Sequence, residues 1–99
     1  MTIYKGKEAV CGIQLTIDRW WRYAMTAQDT LTVKFIDSMN HVTTKTFGQA
    51  DVDSIDKAVT VTLSDADTNA MAVGRGILTA DMNDLTVIPP TEIYVKEAK

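Results

Sequence analysis

The groups in this chain with chemistry to offer are thirteen carboxylates, one imidazole and one thiol. Asp51, Asp53 and Asp56 form a D-x-D-x-x-D cluster, and Asp65 with Asp67 makes a second pair. Hard oxygen ligands at loop spacing suit calcium, but the glycine and the distal glutamate of an EF-hand loop are missing. Their expected role is therefore that of solvated turn carboxylates and helix caps. Two carboxylates could also act on a glycosidic bond if folding brought them together; a small sandwich without an evident cleft argues against it. His41 is the only histidine. A metal site wants further nitrogen or sulfur ligands, and a nucleophilic triad wants a histidine set by a carboxylate against a serine or cysteine. Neither arrangement is signalled, so His41 is expected to be an exposed residue at a strand end. Cys11, with no second cysteine, forms no intrachain disulfide and is expected to act as a small hydrophobe in a strand. Gly74-Arg75-Gly76 is half of a phosphate loop, without the third glycine or the long helix that should follow. The expected roles are a turn glycine and a small residue where another backbone approaches.

The stretch Trp20-Trp21-Arg22-Tyr23 is the strongest binding candidate. Adjacent residues of an extended segment point to opposite sides, so one tryptophan can close a core while the other meets solvent or a partner. Aromatics beside arginine are enriched at protein interfaces, and they also stack on sugars or unpaired bases. Packing at the end of a sandwich, a protein contact and a carbohydrate platform all remain open for Trp20, Trp21, Arg22 and Tyr23. No catalytic, cofactor-binding or metal-binding residue is assigned, and no enzyme is expected.

The elements that must position these groups are strands. Ala9, Cys11, Ile13, Leu15 and Ile17 alternate with polar or small residues, which predicts one strand over Ala9–Ile17 with a single face in a core. A short strand at Ile3-Tyr4 precedes it. Asp18–Gln28 is a long connection. Leu31, Val33 and Phe35 face inward from the next strand, Asp37-Ser38-Met39-Asn40 is a turn by composition, and His41–Phe47 returns as an edge strand with Lys45 discouraging further pairing. Gly48–Lys57 is an acidic loop with a turn at Asp51–Ser54. Val59, Val61 and Leu63 alternate with threonines, and Ser64 with Asp67 forms a capping box for a short helical turn. Gly74 is expected to stop that turn in a left-handed conformation. Arg75–Met82 is a strand with Gly76, Leu78, Ala80 and Met82 on one face and Ile77 on the other. Asn83-Asp84 is a turn. Val87-Ile88-Pro89-Pro90 is expected to leave the sheet because neither proline can donate to a ladder, and Thr91–Lys96 is the last strand. The sum is about seven strands with one short helical turn, and so an all-β, immunoglobulin-like antiparallel sandwich forming one domain over residues 1–99. A small barrel is the alternative.

The 99 residues can bury one modest core. A net charge of −3 and a pI of about 4.9 give no basic footprint for nucleic acid. The start of the chain lacks the apolar core of a signal peptide, no apolar run is long enough to span a bilayer, and the absence of cysteine pairs fits synthesis in a reducing compartment.

In order, Lys5-Gly6, the alternating strand Ala9–Ile17, the run Asp29-Thr30-Leu31-Thr32-Val33-Lys34-Phe35, then Leu63-Ser64-Asp65-Ala66-Asp67-Thr68 with Met71 and Gly74, and the closing strand Ile93-Tyr94-Val95, resemble one family. This order is similar to that of the immunoglobulin-like N-terminal domain of phage baseplate upper proteins and related tail-associated proteins. Gly76 stands where that family often carries an aromatic, and the Trp-Trp loop has no counterpart in its motifs. The resemblance implies a structural or docking role in a phage or prophage tail, baseplate or head, made in the bacterial cytoplasm and carried in the virion. Its partners would be other virion proteins or copies of itself. It implies no catalytic residue and no cofactor. A carbohydrate-binding or adhesion module using the aromatic loop Trp20, Trp21 and Tyr23, with calcium at Asp51, Asp53 and Asp56 as an option and not a requirement, is the alternative.

Overall fold

The computed structural model describes residues 1–14, 16–17, 21–22, 28–52, 58–82 and 85–97. Nine strands are described: β1 (Thr2–Tyr4), β2 (Ala9–Gln14), β3 (Thr16–Ile17), β4 (Trp21–Arg22), β5 (Leu31–Ile36), β6 (Val42–Phe47), β7 (Ala58–Leu63), β8 (Gly74–Met82) and β9 (Leu85–Lys96), with one short helix, α1 (Asp65–Asn69). A single 3-10 turn, Gln49–Asp51, follows β6. The larger sheet has the order β1-β9-β8-β5-β6, the smaller is β2-β7, and β3 pairs with β4 alone. Strands 2 and 7 on one layer, and 5, 6, 8 and 9 on the other, reproduce the immunoglobulin-like division in which B and E face C, C′, F and G. Every described ladder is antiparallel except β1 on β9.

The core lies between the two layers. The larger sheet contributes Ile3, Leu31, Val33, Phe35, Leu78, Ala80, Met82, Ile93 and Val95; the smaller contributes Ile13, Val59, Val61 and Leu63. Period-2 alternation places these residues, as β5 shows most clearly, with every second residue fully buried. β6 follows the same phase more weakly: Thr43, Lys45 and Phe47 face the inner side, while Val42, Thr44 and Thr46 face out. Among the described residues it is the edge strand that its composition suggests. Gly76 also holds the expected role, since a Cβ there would lie 2.2 Å from the Ile36 carbonyl oxygen.

Three expectations are corrected and one is sharpened. The stretch expected as one strand takes two partners: Ala9–Gln14 pairs with β7, and Thr16–Ile17 pairs with β4. Alternation reports which face is buried and does not register a change of partner. The long connection that follows holds a two-residue strand, Trp21–Arg22. The prolines do not leave the sheet. β9 runs through Pro89 and Pro90 to Lys96, and its register on β8 shifts there, with Leu78 opposite Thr91 but Ala80 opposite Ile88. Three residues of β9 thus span two of β8, a bulge that accommodates residues without a donor. Finally, Gly74 does not end α1. The cap is Ala70, in right-handed helical geometry, and Gly74 instead opens β8 at φ +134, where a Cβ would meet the Ser38 side chain at 2.9 Å.

Candidate functional site

Three connections meet at one end of the sandwich: the β1–β2 turn, the β5–β6 hairpin loop, and α1 with its link to β8. Asp37 holds two of them together. Its side chain is 1% exposed. Oδ1 accepts the N–H groups of Met39 (2.8 Å) and His41 (2.9 Å), which closes the hairpin loop. Oδ2 accepts the N–H of Ala72 (2.9 Å), thirty-five positions away. Asn40, at φ +64, lets the loop turn back. Ser38 Oγ donates to the Val73 carbonyl (2.9 Å). Buried Thr68 ties the third connection in, its hydroxyl 2.9 Å from the Lys7 carbonyl oxygen. Burial pushes the Asp37 carboxyl up, but the N–H groups of Ala72, His41 and Met39, and then the His41 ring, outweigh it and hold the group below the usual carboxylate range.

His41 is exposed, as expected, with 68% of its side chain in solvent and Nδ1 3.2 Å from Asp37 Oδ2. This is the carboxylate–histidine half of a triad. Ser38, the nearest serine in sequence, is already engaged with Val73. The arrangement therefore serves to close a loop.

Asp67 and Asp51 behave as caps. Ser64 N–H donates to Asp67 Oδ2 (3.0 Å) and Asp67 N–H donates to Ser64 Oγ (3.1 Å), the expected capping box. Asp67 also receives Lys45 Nζ at 2.9 Å; Lys45, then the Ser64 N–H, lowers its pKa. Asp51 Oδ2 accepts the Gly48 N–H (2.8 Å) and so caps the 3-10 turn. Asp53 and Asp56 lie outside the described residues, and no group of three or more possible metal ligands occurs among the described ones. Arg75 leans on Glu92 (3.4 Å) instead of lining an anion loop. Tyr94 donates to Glu92 (2.7 Å), a bond that keeps the phenol protonated to higher pH than usual.

Of the aromatic stretch, Trp20 and Tyr23 lie outside the described residues. The Trp21 backbone pairs with Ile17 and that of Arg22 with Thr16. Sequence reasoning missed a different surface. On the outer face of the larger sheet, Val42 lies opposite Ile36 and Ile36 opposite Ile77, an apolar row across three strands. Val42 is 53% exposed and Ile77 43%. Exposed Met39 and Val73 flank its end, on loops joined by the Ser38–Val73 bond. Val42 and Ile77 interrupt the polar outward positions of their strands, and that was the available signal.

No protein-family model matches the chain, and neither a curated protein nor a solved structure does.

Proposed function

We propose that the chain is a non-enzymatic docking module that works by protein–protein contact, in the tail, baseplate or head of a phage or prophage particle. The observation that carries the docking part is the apolar row Val42–Ile36–Ile77 across three strands of the outer sheet face. A contiguous exposed apolar patch marks an interaction site far better than scattered apolar residues do. The particle assignment rests on the order of sequence features shared with baseplate upper proteins, and the immunoglobulin-like layer division agrees with it.

The test is cross-linking mass spectrometry on purified particles. Cross-links from the β6 and β8 region to an identified virion protein are expected, and Ile77→Asp should remove them while leaving the circular dichroism spectrum unchanged. Particles lacking the chain would refute the reading.

The carbohydrate reading has one observation in its favour. Tyr4 and Tyr94 are exposed on the same outer face, and Thr2 lies opposite Tyr94 while Tyr4 lies opposite Lys96, so the two rings are diagonal neighbours. Glycan-array binding lost in Tyr94→Ala would favour this second reading.

A further inference from the structure

β1 and β9 are the first and last of the described strands, and they lie side by side in parallel. Tyr94 N–H donates to the Met1 carbonyl (2.9 Å) at one end of the pair, and Lys5 N–H to the Lys96 carbonyl (3.0 Å) at the other. Bonds in a parallel ladder are evenly spaced. With Thr2 opposite Tyr94 and Tyr4 opposite Lys96, two more fall between them, from Ile3 N–H to the Tyr94 carbonyl and from Lys96 N–H to the Ile3 carbonyl. A continuous row of backbone bonds therefore joins the two strands.

This pairing has a mechanical consequence. A pull on the chain before β1 draws that strand toward its own N-terminus. A pull beyond β9 draws that strand toward its own C-terminus. Because the two run the same way, these forces slide one strand along the other. The bonds lie across the direction of sliding, so they carry the load together and must yield together. Ile3 is fully buried and its neighbour Val95 nearly so, so sliding also draws Ile3 out of the core. A slip of one residue would turn Ile3 to the outer face, so the adjacent register offers no resting point. The far end of β1 is anchored. Lys7 N–H donates to the Tyr4 carbonyl (3.1 Å) and Gly6 sits at φ +75, a type II turn with Lys5 at its second position. The buried Thr68 hydroxyl donates to the Lys7 carbonyl (2.9 Å) and holds that turn against α1.

We propose that the chain is a tension-bearing link, in which β1 and β9 form a shear clamp between what is joined before the one and after the other. This goes beyond the docking reading and does not rest on it. The clamp is the shortest load path through the fold, because force entering at β1 passes directly across one ladder to β9.

Single-molecule force spectroscopy in two pulling directions tests this. With handles before β1 and after β9, the load runs through the clamp. The second direction uses the handle after β9 and one on Met39→Cys, an exposed loop position, in a Cys11→Ala background. The β5–β6 loop and the end of β9 lie at the same end of the sheet, since Ile36 pairs with Ile77 and Gly74 with Val95. β9 is then peeled away one bond at a time. At equal loading rate the unfolding force should be higher in the first direction, because forced unfolding follows the barrier to unfolding and not the equilibrium stability. Lys5→Pro adds a second measurement. Proline suits the second position of a type II turn, and the variant removes the N–H that donates to Lys96. It should lower the force in the first direction while leaving the peeling force and the circular dichroism spectrum unchanged. Equal forces in the two directions, or a first-direction force that Lys5→Pro does not lower, overturns the clamp.

Discussion

Asp37 shows how much one side chain can fix. Its carboxylate satisfies three backbone N–H groups that belong to two different connections. Removing a buried acceptor leaves its donors without partners, which costs about 1–3 kcal/mol. Asp37→Asn should therefore destabilise the fold by about 2 kcal/mol at pH 7. The pH dependence follows from the depressed native pKa. Above the unfolded value of about 3.9 the group is ionised in both states and its contribution is complete. As pH falls through the lower native pKa the folded state takes up the proton as well, and the contribution is lost. The gap between the native sequence and Asp37→Asn in urea denaturation should be wide at pH 7 and should narrow steadily as pH falls below the unfolded value and through the lower native one. A gap of constant width would mean that the charge of Asp37 contributes nothing. The local half of this arrangement is legible in sequence, because an aspartate that opens a turn commonly accepts the N–H two residues on, here that of Met39. The bond to Ala72 is not, because nothing near either residue records a contact thirty-five positions away.

At the scale of the element, α1 is five residues long, too short to be stable by itself. Its ends and its contacts hold it. Ser64→Ala removes the acceptor for the Asp67 N–H and should cost about 1 kcal/mol. Asp67→Ala removes the return bond to Ser64 and the partner of Lys45 together, leaving an amine on the inner side of an edge strand, and should cost about 2 kcal/mol. Chemical denaturation of both variants and of Lys45→Met with Asp67→Ala checks this. The double variant should recover part of the loss, since methionine keeps the apolar stem without the charge. The capping box was legible because its residues are three apart; the ion pair, which joins positions 45 and 67, was not. The strands divide in the same way. Alternation gave the inward sets of β5, β7 and β8, because each keeps one phase over its described length. It does not register the change of partner after β2, and it fails at Pro89-Pro90, where a bulge rather than a strand end absorbs the missing donors. The aromatic candidates Trp20–Tyr23 were chosen by residue type. The exposed row Val42–Ile36–Ile77 exists only once three strands are set side by side.

At the scale of the whole molecule, the described residues share one core between unequal layers, five strands against two. Val59, Val61 and Leu63 of β7 are buried against the larger sheet, so detaching the smaller layer would expose most of the apolar surface in a single step. Unfolding should then be two-state. Cys11 is placed to report on it. The residue is half-buried on the inner side of β2, opposite Val61, and burial pushes the thiol pKa up, with the N-terminal charge opposing. A thiol held above its usual pKa has less reactive thiolate near neutral pH. Labelling by a disulfide reagent should be slower in the native chain than in the denatured one, and its denaturant midpoint should coincide with loss of the β-sheet signal in circular dichroism. Fast labelling below that midpoint would mean that β2 and β7 separate from the larger sheet alone, and the sandwich would then be two cooperative units.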